Sequence, residues 1–400
     1  MKEKLIIKNF GPIKSVDLDL GKITVLIGDQ ATGKSTVAKV LSICRYFSYI
    51  VDYNPLERGS IGRLEGAFYK GLVEWGIGSY KKKDTYIYYE NSDYSVEVTT
   101  KLEFVNVDLD DNENHIKKEL PLLYCELNEK SDRFKKLLGE LEEIKPKFDK
   151  PLKVIDPSWM PSENFFRLNV KKVMDNPYYL SEKRGLQSIF SLGKSPDYSD
   201  SLHWQLASLY NISDKFKSET SIKPLNIKYK NINGVAYFKG EKDEDYYKLS
   251  QGASGYQATI PIVLAVKYYS EFEKRKRTFI IEEPEINLFP TVQRKLMTFF
   301  VENINVNKHS FLIPTHSPYF LSAINDLLIA YKRGQINEVE TNKIINKETW
   351  LNPDDLSVYE LKKGKASSIF DKKLGLISDN IIDDVSDEMN DEFERLLDIE

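Results

Sequence analysis

Nine residues, GDQATGKST from Gly28 to Thr36, constrain the chain more than anything else in it. They satisfy the pattern G-x-x-x-x-G-K-[ST] at every defined position, after the β-branched run ITVLI and before a helical pattern from Gly33 to about Tyr49. That context predicts a strand, a phosphate-binding loop and a helix. Gly28 and Gly33 let the backbone curl around Asp29, Gln30, Ala31 and Thr32, so that successive N–H groups and the helix N-terminus face an anion. Lys34 is placed to reach the β and γ phosphates of a nucleotide. The Ser35 hydroxyl is placed for magnesium, with Thr36 behind it. The pattern implies binding of a nucleotide and Mg2+.

Length and composition allow this. The chain has 400 residues, 41% of them hydrophobic, enough for one large domain or two moderate ones. A formal net charge of -4 argues against a protein that coats nucleic acid all along its surface. Cys44 and Cys125 stand far apart with no CxxC pair, which predicts neither a disulfide scaffold nor a structural metal and suits a reducing cytoplasm. MKEKLIIKNFG meets charge and turn residues too early for a signal peptide, and no later run predicts a membrane helix.

The pattern along the chain predicts α/β architecture with a parallel sheet. Strands are expected at KLIIKN, IKSVDLDL and KITVLIG, then a β meander over residues 79 to 107. Charged, periodic sequence from about Cys125 to Lys150 predicts an exposed helical arm. A strand follows within residues 176 to 185 and a strand pair from Leu225 to Leu249. Helix, strand, helix, strand, helix comes next, and DNIIDDVSDEMNDEFERLL predicts an acidic amphipathic helix. The expected division is an N-terminal lobe over 1–124, a helical arm over 125–175, a second lobe over 176–330 and a C-terminal extension over 331–400.

A second chemical feature is FIIEEPEINLFP, residues 279–290, where a buried strand ends in three carboxylates. In a chain with a phosphate loop, a carboxylate at a strand's C-terminal end belongs to the magnesium site. Glu282 would hold the metal, directly or through water, and Glu283 would polarise the attacking water as general base. Glu285 is expected only to cap the helix after Pro290. The strand HSFLIP ends in THSP, where His316 could contact a γ phosphate; His115, His203 and His309 have no such setting. LSQGASGYQ, Leu249 to Gln257, offers backbone N–H groups and the Ser250 and Ser254 hydroxyls at a helix start. It is either a second anion site or a plain helix start capped by Ser254. A chain with its own phosphate loop needs no second anion site, whereas a second molecule does.

In this order, GDQATGKST, LSQGASG, IIEEPEINLFP and THSP resemble the ABC-type ATPase heads of the SMC and RecF group, most of all the prokaryotic stand-alone ATPases related to the OLD family. The opening IIKNFGPIKSVDLDLGKITVLIG is also similar to those heads, and the resemblance covers about residues 1–50 and 176–330. It implies an ABC-like P-loop sheet sandwiched by helices, with the meander and arm inserted. It also implies that two protomers enclose two ATP molecules, in a dimer or an assembly of dimers. Ser250 and Gly252, or Ser254 and Gly255, would then be the contacts made in trans, with both registers open. Glu282 would be the Walker B acid, Glu283 the catalytic glutamate and His316 the switch histidine. Three departures stand out: Glu282 is not Asp, Gln30 and Ala31 replace Asn and Gly of many relatives, and no glutamine loop is evident. Glu182 and Arg184 in YYLSEKRG are candidates for that last role. No TOPRIM-like Asp-x-Asp strand follows His316, so the resemblance implies a regulatory ATPase acting on a separate effector, such as a nuclease, in antiphage defence. The alternatives are a DNA-clamping ATPase that uses Lys81–Lys83 or Lys274–Arg277 as its DNA contact, and the ATPase subunit of a transporter.

Overall fold

The computed structural model describes residues 3–45, 68, 71–73, 75–91, 94–105, 116–127, 178–180, 209, 211–378 and 381–399. The chain divides into two compact units: Met1–Leu20, Ala31–Asn176 and Lys363–Ala366 form the first, and Gly21–Gln30, Pro177–Lys362 and Ser367–Glu400 the second. The N-terminal elements are β1 (Glu3–Phe10), β2 (Ile13–Leu20), β3 (Ile23–Ile27), α1 (Lys34–Arg45), β4 (Lys81–Glu90), β5 (Tyr94–Val105) and β6 (Ile116–Leu127).

In the first unit β6, β5, β4, β1 and β2 pair antiparallel in that order. The LDL alternation of β2 explains its two faces, since Val16, Leu18 and Leu20 are buried while Asp17 and Asp19 are exposed. Arg45, at the end of α1, forks onto Glu3 of β1 with Nε 2.6 Å from Oε1, and the Tyr89 hydroxyl of β4 donates to the same oxygen at 2.5 Å. Three elements are thus tied by one carboxylate. The meander expected over 79–107 is present as β4 and β5. The helix expected from Cys125 does not start there: β6 continues through Leu127, and residues 128–150 of the expected arm lie outside the described residues. β4 is an inner strand, between β5 and β1, and Lys82 Nζ donates to the Gly11 carbonyl at 2.7 Å in the β1–β2 turn.

The second unit adds β7 (Tyr178–Leu180), β8 (Thr220–Ile222), β9 (Ile227–Ile232), β10 (Val235–Gly240), β11 (Tyr247–Lys248), α2 (Ser254–Lys267), β12 (Thr278–Ile281), α3 (Pro290–Asn307), β13 (Ser310–Pro314), α4 (Pro318–Gly334), α5 (Glu338–Ile344), β14 (Leu356–Lys362) and α6 (Ile381–Leu397). Its main sheet is parallel, in the order β14, β3, β13, β12, β7. Every residue of β3 and β12 is buried, as strands covered on both faces require. The expected helix–strand alternation is therefore present. β8 to β11 form a separate antiparallel sheet whose β9–β10 hairpin turns on Asn233 and Gly234, both with positive φ, as a type I′ turn demands. The expected acidic helix is α6, where Met389, Phe393 and Leu396 are exposed.

Alternate residues of the parallel strands, among them Val25, Phe279, Phe311 and Val358, share one apolar core with Ile262 and Val266 of α2, Phe300 of α3 and Ile324 of α4. Phe300, Phe311 and Phe279 form an aromatic row, with centroids 4.8 and 5.4 Å apart, and His309 meets Phe279 edge-on at 5.2 Å. His309 is fully buried; its Nδ1 accepts from the Arg277 N–H at 3.0 Å, which leaves Nε2 to donate to Ser270 Oγ at 2.9 Å. This is a structural histidine. Burial first, and the nearby Arg277 charge second, lower its pKa from 6.5 to about 4. The folded state prefers the neutral ring, so its stabilisation is complete above the unfolded value and is lost as pH falls toward 4. We expect about 2 kcal/mol of stability to disappear between pH 7 and pH 5, and His309→Gln to flatten that decline. Denaturant midpoints at the two pH values test this; equal slopes in both proteins would assign the decline elsewhere.

Candidate functional site

Parallel pairing decides which residues meet. β3, β13 and β12 are adjacent and run in one direction, so Gly28, Thr315–His316 and Glu282–Glu283 all emerge at the carboxyl edge of one sheet. This edge is where open α/β sheets bind ligands. Backbone bonds hold the three exits in place: Thr315 N–H to the Leu26 carbonyl at 2.9 Å, Glu283 N–H to the Pro314 carbonyl at 2.8 Å, and Glu282 N–H to the Leu180 carbonyl at 2.9 Å.

The phosphate loop has the backbone its glycines foretell. Gly28 takes φ 143 and Gly33 φ 106, where a side chain is strained, and a methyl group on Gly33 would also press on Ile13 at 3.0 Å. Ala31 lies at φ 61, so this chain keeps a Cβ where glycine is at ease, at a cost of about 1 kcal/mol. Asp29, Gln30 and Ala31 are exposed and Thr32 half-buried. Lys34 and Ser35 open α1, whose first bond runs from the Val37 N–H to the Gly33 carbonyl at 2.9 Å, and both Lys34 and Thr36 are buried.

Glu282 is buried at the end of β12. Glu283 has φ 43, a left-handed conformation uncommon for a side-chain-bearing residue and concentrated at functional sites. Its Oε1 lies 3.5 Å from His316 Nε2, with both side chains about one-third exposed. The structure thus joins two residues from separate sequence motifs. Glu285 is not a helix cap: Phe289 precedes α3 without a side-chain cap, and Glu285 Oε1 instead accepts from Thr315 Oγ1 at 2.8 Å and the His316 N–H at 2.7 Å. Burial pushes its pKa above the ordinary carboxylate value, opposed by those two hydrogen bonds.

LSQGASG forms a 3₁₀ turn, Leu249–Gln251, and then the start of α2. Ser254 is not the N-cap; Ala253 holds that place, no side chain caps the helix, and Ser254 is its first residue. Ser250 and Ser254 are exposed, Gly252 is half-buried and Gly255 buried. The Gly252 carbonyl accepts from Gln257 Nε2 at 2.9 Å. Glu182 and Arg184 lie outside the described residues, as do His115 and His203. Sequence reasoning overlooked Gln293, which is buried in α3, accepts from Ser317 Oγ and donates to the Leu288 carbonyl at 2.8 Å. A lone glutamine one turn into a helix gives no signal of such a role.

A family model of the AAA ATPase domain matches residues 1–158 and 79–321. No curated protein matches the chain. Among solved structures, the SMC head domain from Thermotoga maritima is 12% identical, with 92% of this chain and 98% of that one covered and a TM-score of 0.37. An SmcHead bound to the C-winged helix domain of ScpA is 9% identical over 93% and 98%, with a TM-score of 0.43. An Smc head domain with an extended coiled coil, bound to the C-terminal domain of ScpA from Pyrococcus furiosus, is 11% identical over 92% and 95%, with a TM-score of 0.39. Family membership rests on the sequence match, whose two spans together run from residue 1 to residue 321. A phosphate loop on an α/β frame and this match lead to one conclusion: the chain belongs to the AAA ATPase domain family and is an ATPase.

Proposed function

We propose that this ATPase closes Mg2+ and ATP between two copies of itself and, by doing so, holds or releases a separate effector protein. The observation that carries the reading is the start of α2. Its first turn is uncapped and its serines are exposed, so it has anion-binding capacity that a chain with its own phosphate loop does not need for itself. Ser250 and Gly252, or Ser254 and Gly255, would meet the nucleotide of the other copy. On the near side, Gly28 to Thr36 would cradle the phosphates, with Lys34 on the β and γ groups. Ser35 and Glu282 would hold magnesium, Glu283 would polarise water and His316 would sense the γ phosphate. Magnesium would neutralise charge that develops on the phosphates.

The setting in bacterial antiphage defence and a nuclease as effector rest on the resemblance to OLD-related ATPases, and a cytoplasmic location on the two well-separated cysteines. The division into two lobes, a helical arm and a C-terminal extension is carried forward with them. A DNA-clamping role has less support, since Lys82 is engaged with the Gly11 carbonyl. No helix among the described residues is long and apolar enough to cross a membrane.

Light scattering on Glu283→Gln, with and without ATP and magnesium, tests the assembly. This variant keeps the loop and should trap any closed state, so we expect the mass to double, or to rise by a multiple of two, only with nucleotide. A monomer under both conditions would refute closure between copies.

A further inference from the structure

Magnesium and water give Glu285 no task, yet it holds the histidine turn directly. Its Oε1 receives both the Thr315 hydroxyl and the His316 backbone N–H, at 2.8 and 2.7 Å. Thr315 Oγ1 in turn accepts from the Ser317 N–H at 3.0 Å, so the carboxylate fixes the whole turn that presents His316. A second rivet lies at the other end of the same loop. There Gln293 joins the Leu288 carbonyl to the Ser317 hydroxyl, and that hydroxyl also accepts from the Phe320 N–H at 3.2 Å at the start of α4.

The loop between the two rivets also touches α2. A methyl group on Gly255 would lie 2.5 Å from the Asn287 carbonyl oxygen, so the first turn of α2 rests directly on the backbone of the acidic loop. Within this loop Glu283 is held at φ 43, a left-handed conformation uncommon for a glutamate, and Asn287 at φ 59. Motion at the start of α2 therefore reaches a strained segment whose one end carries Glu283 and whose middle grips the His316 turn.

We propose that Glu285 is a positioning residue that couples the start of α2 to the Glu283–His316 pair, so that an anion arriving at α2 sets the histidine against the glutamate 3.5 Å away. This rests on the proposed roles of Glu283 and His316. It asks only for an acceptor at Oε1, which separates it from a role for the Glu285 charge itself.

The test compares steady-state ATP hydrolysis of the full chain with that of Glu285→Ala, Glu285→Gln, Thr315→Val, Thr315→Ser and Glu283→Gln. Glu285→Ala loses both hydrogen bonds and should lower kcat about tenfold to hundredfold, with KM for ATP held within about threefold. Glu285→Gln keeps the acceptor and should recover most of the rate. Should Glu285→Ala fail to fold, the threonine pair decides: Thr315→Val is expected to slow kcat and Thr315→Ser to restore it. A wild-type kcat in Glu285→Ala, a glutamine variant as slow as the alanine one, or a loss seen only in KM would each overturn the proposal. Glu283→Gln separates the two readings. If it is slow while Glu285→Ala is fast, the coupling fails and the base stands; if it is fast while Glu285→Ala is slow, the base fails and the link to the histidine turn stands.

Discussion

Glu283→Gln is expected to hydrolyse ATP about 10²- to 10⁴-fold more slowly than the wild-type chain, the usual worth of a general base. The substitution is nearly isosteric. The loop is held from the backbone, through the Glu283 N–H on the Pro314 carbonyl at 2.8 Å, and neither this bond nor the φ of 43 depends on the carboxylate. What disappears is the ability to take a proton. Glutamine can still accept a hydrogen bond and orient water, so a loss near the lower end would mean that orientation supplies part of the effect. Turnover is the readout, with nucleotide affinity measured alongside. Unchanged turnover would remove Glu283 from the chemistry and shift attention to Glu282, which is buried one residue earlier.

Phe300→Ala should be the most destabilising single truncation considered, at about 3–5 kcal/mol and roughly 6–20 °C in Tm. Phe300 is fully buried and lies 4.8 Å, centroid to centroid, from Phe311 of β13, which stacks on Phe279 of β12. Removing the ring leaves a cavity beneath the two strands whose ends deliver Glu282, Glu283 and His316. The neighbours cannot collapse into it readily, because Phe279 is also held by His309 and Tyr269. Calorimetry or denaturant unfolding measures the loss. A change below about 1 kcal/mol would show that α3 can shift to close the gap.

How far the sequence could be read depended on how local each feature is. The phosphate loop is contiguous, so its strand, glycines and helix were legible together. So were β12 and β13, whose apolar runs stop abruptly at charged or polar residues. The carboxylate and histidine were each visible, but not their 3.5 Å approach, because pairing between β12 and β13 brings together residues over thirty positions apart. The role of Glu285 was misread for the same reason: a carboxylate five residues before a helix has an obvious local partner, and its actual partners come from another strand's exit. β6 lies beyond the meander expected over 79–107 and was missed, with charged periodic sequence beginning at its end. Proline also lies within it at Pro121, which a strand at the end of the sheet order tolerates.

β14 was not anticipated, and its place beside β3 has a consequence for how the polypeptide is made. β3 is synthesised early, but both its sheet neighbours, β13 and β14, come from residues beyond 309, and Lys22 finds Asp355 across 333 positions. At a ribosome's pace of about 5–20 residues per second, β3 must wait roughly 15 to 60 s for its first flanking strand. During that interval ITVLI is an apolar segment with both hydrogen-bonding edges open, the type of segment that nascent-chain chaperones shield and that seeds aggregation when they are scarce. Recombinant yield of this protein should therefore respond to translation speed and chaperone supply more than its finished, fully buried β3 would suggest.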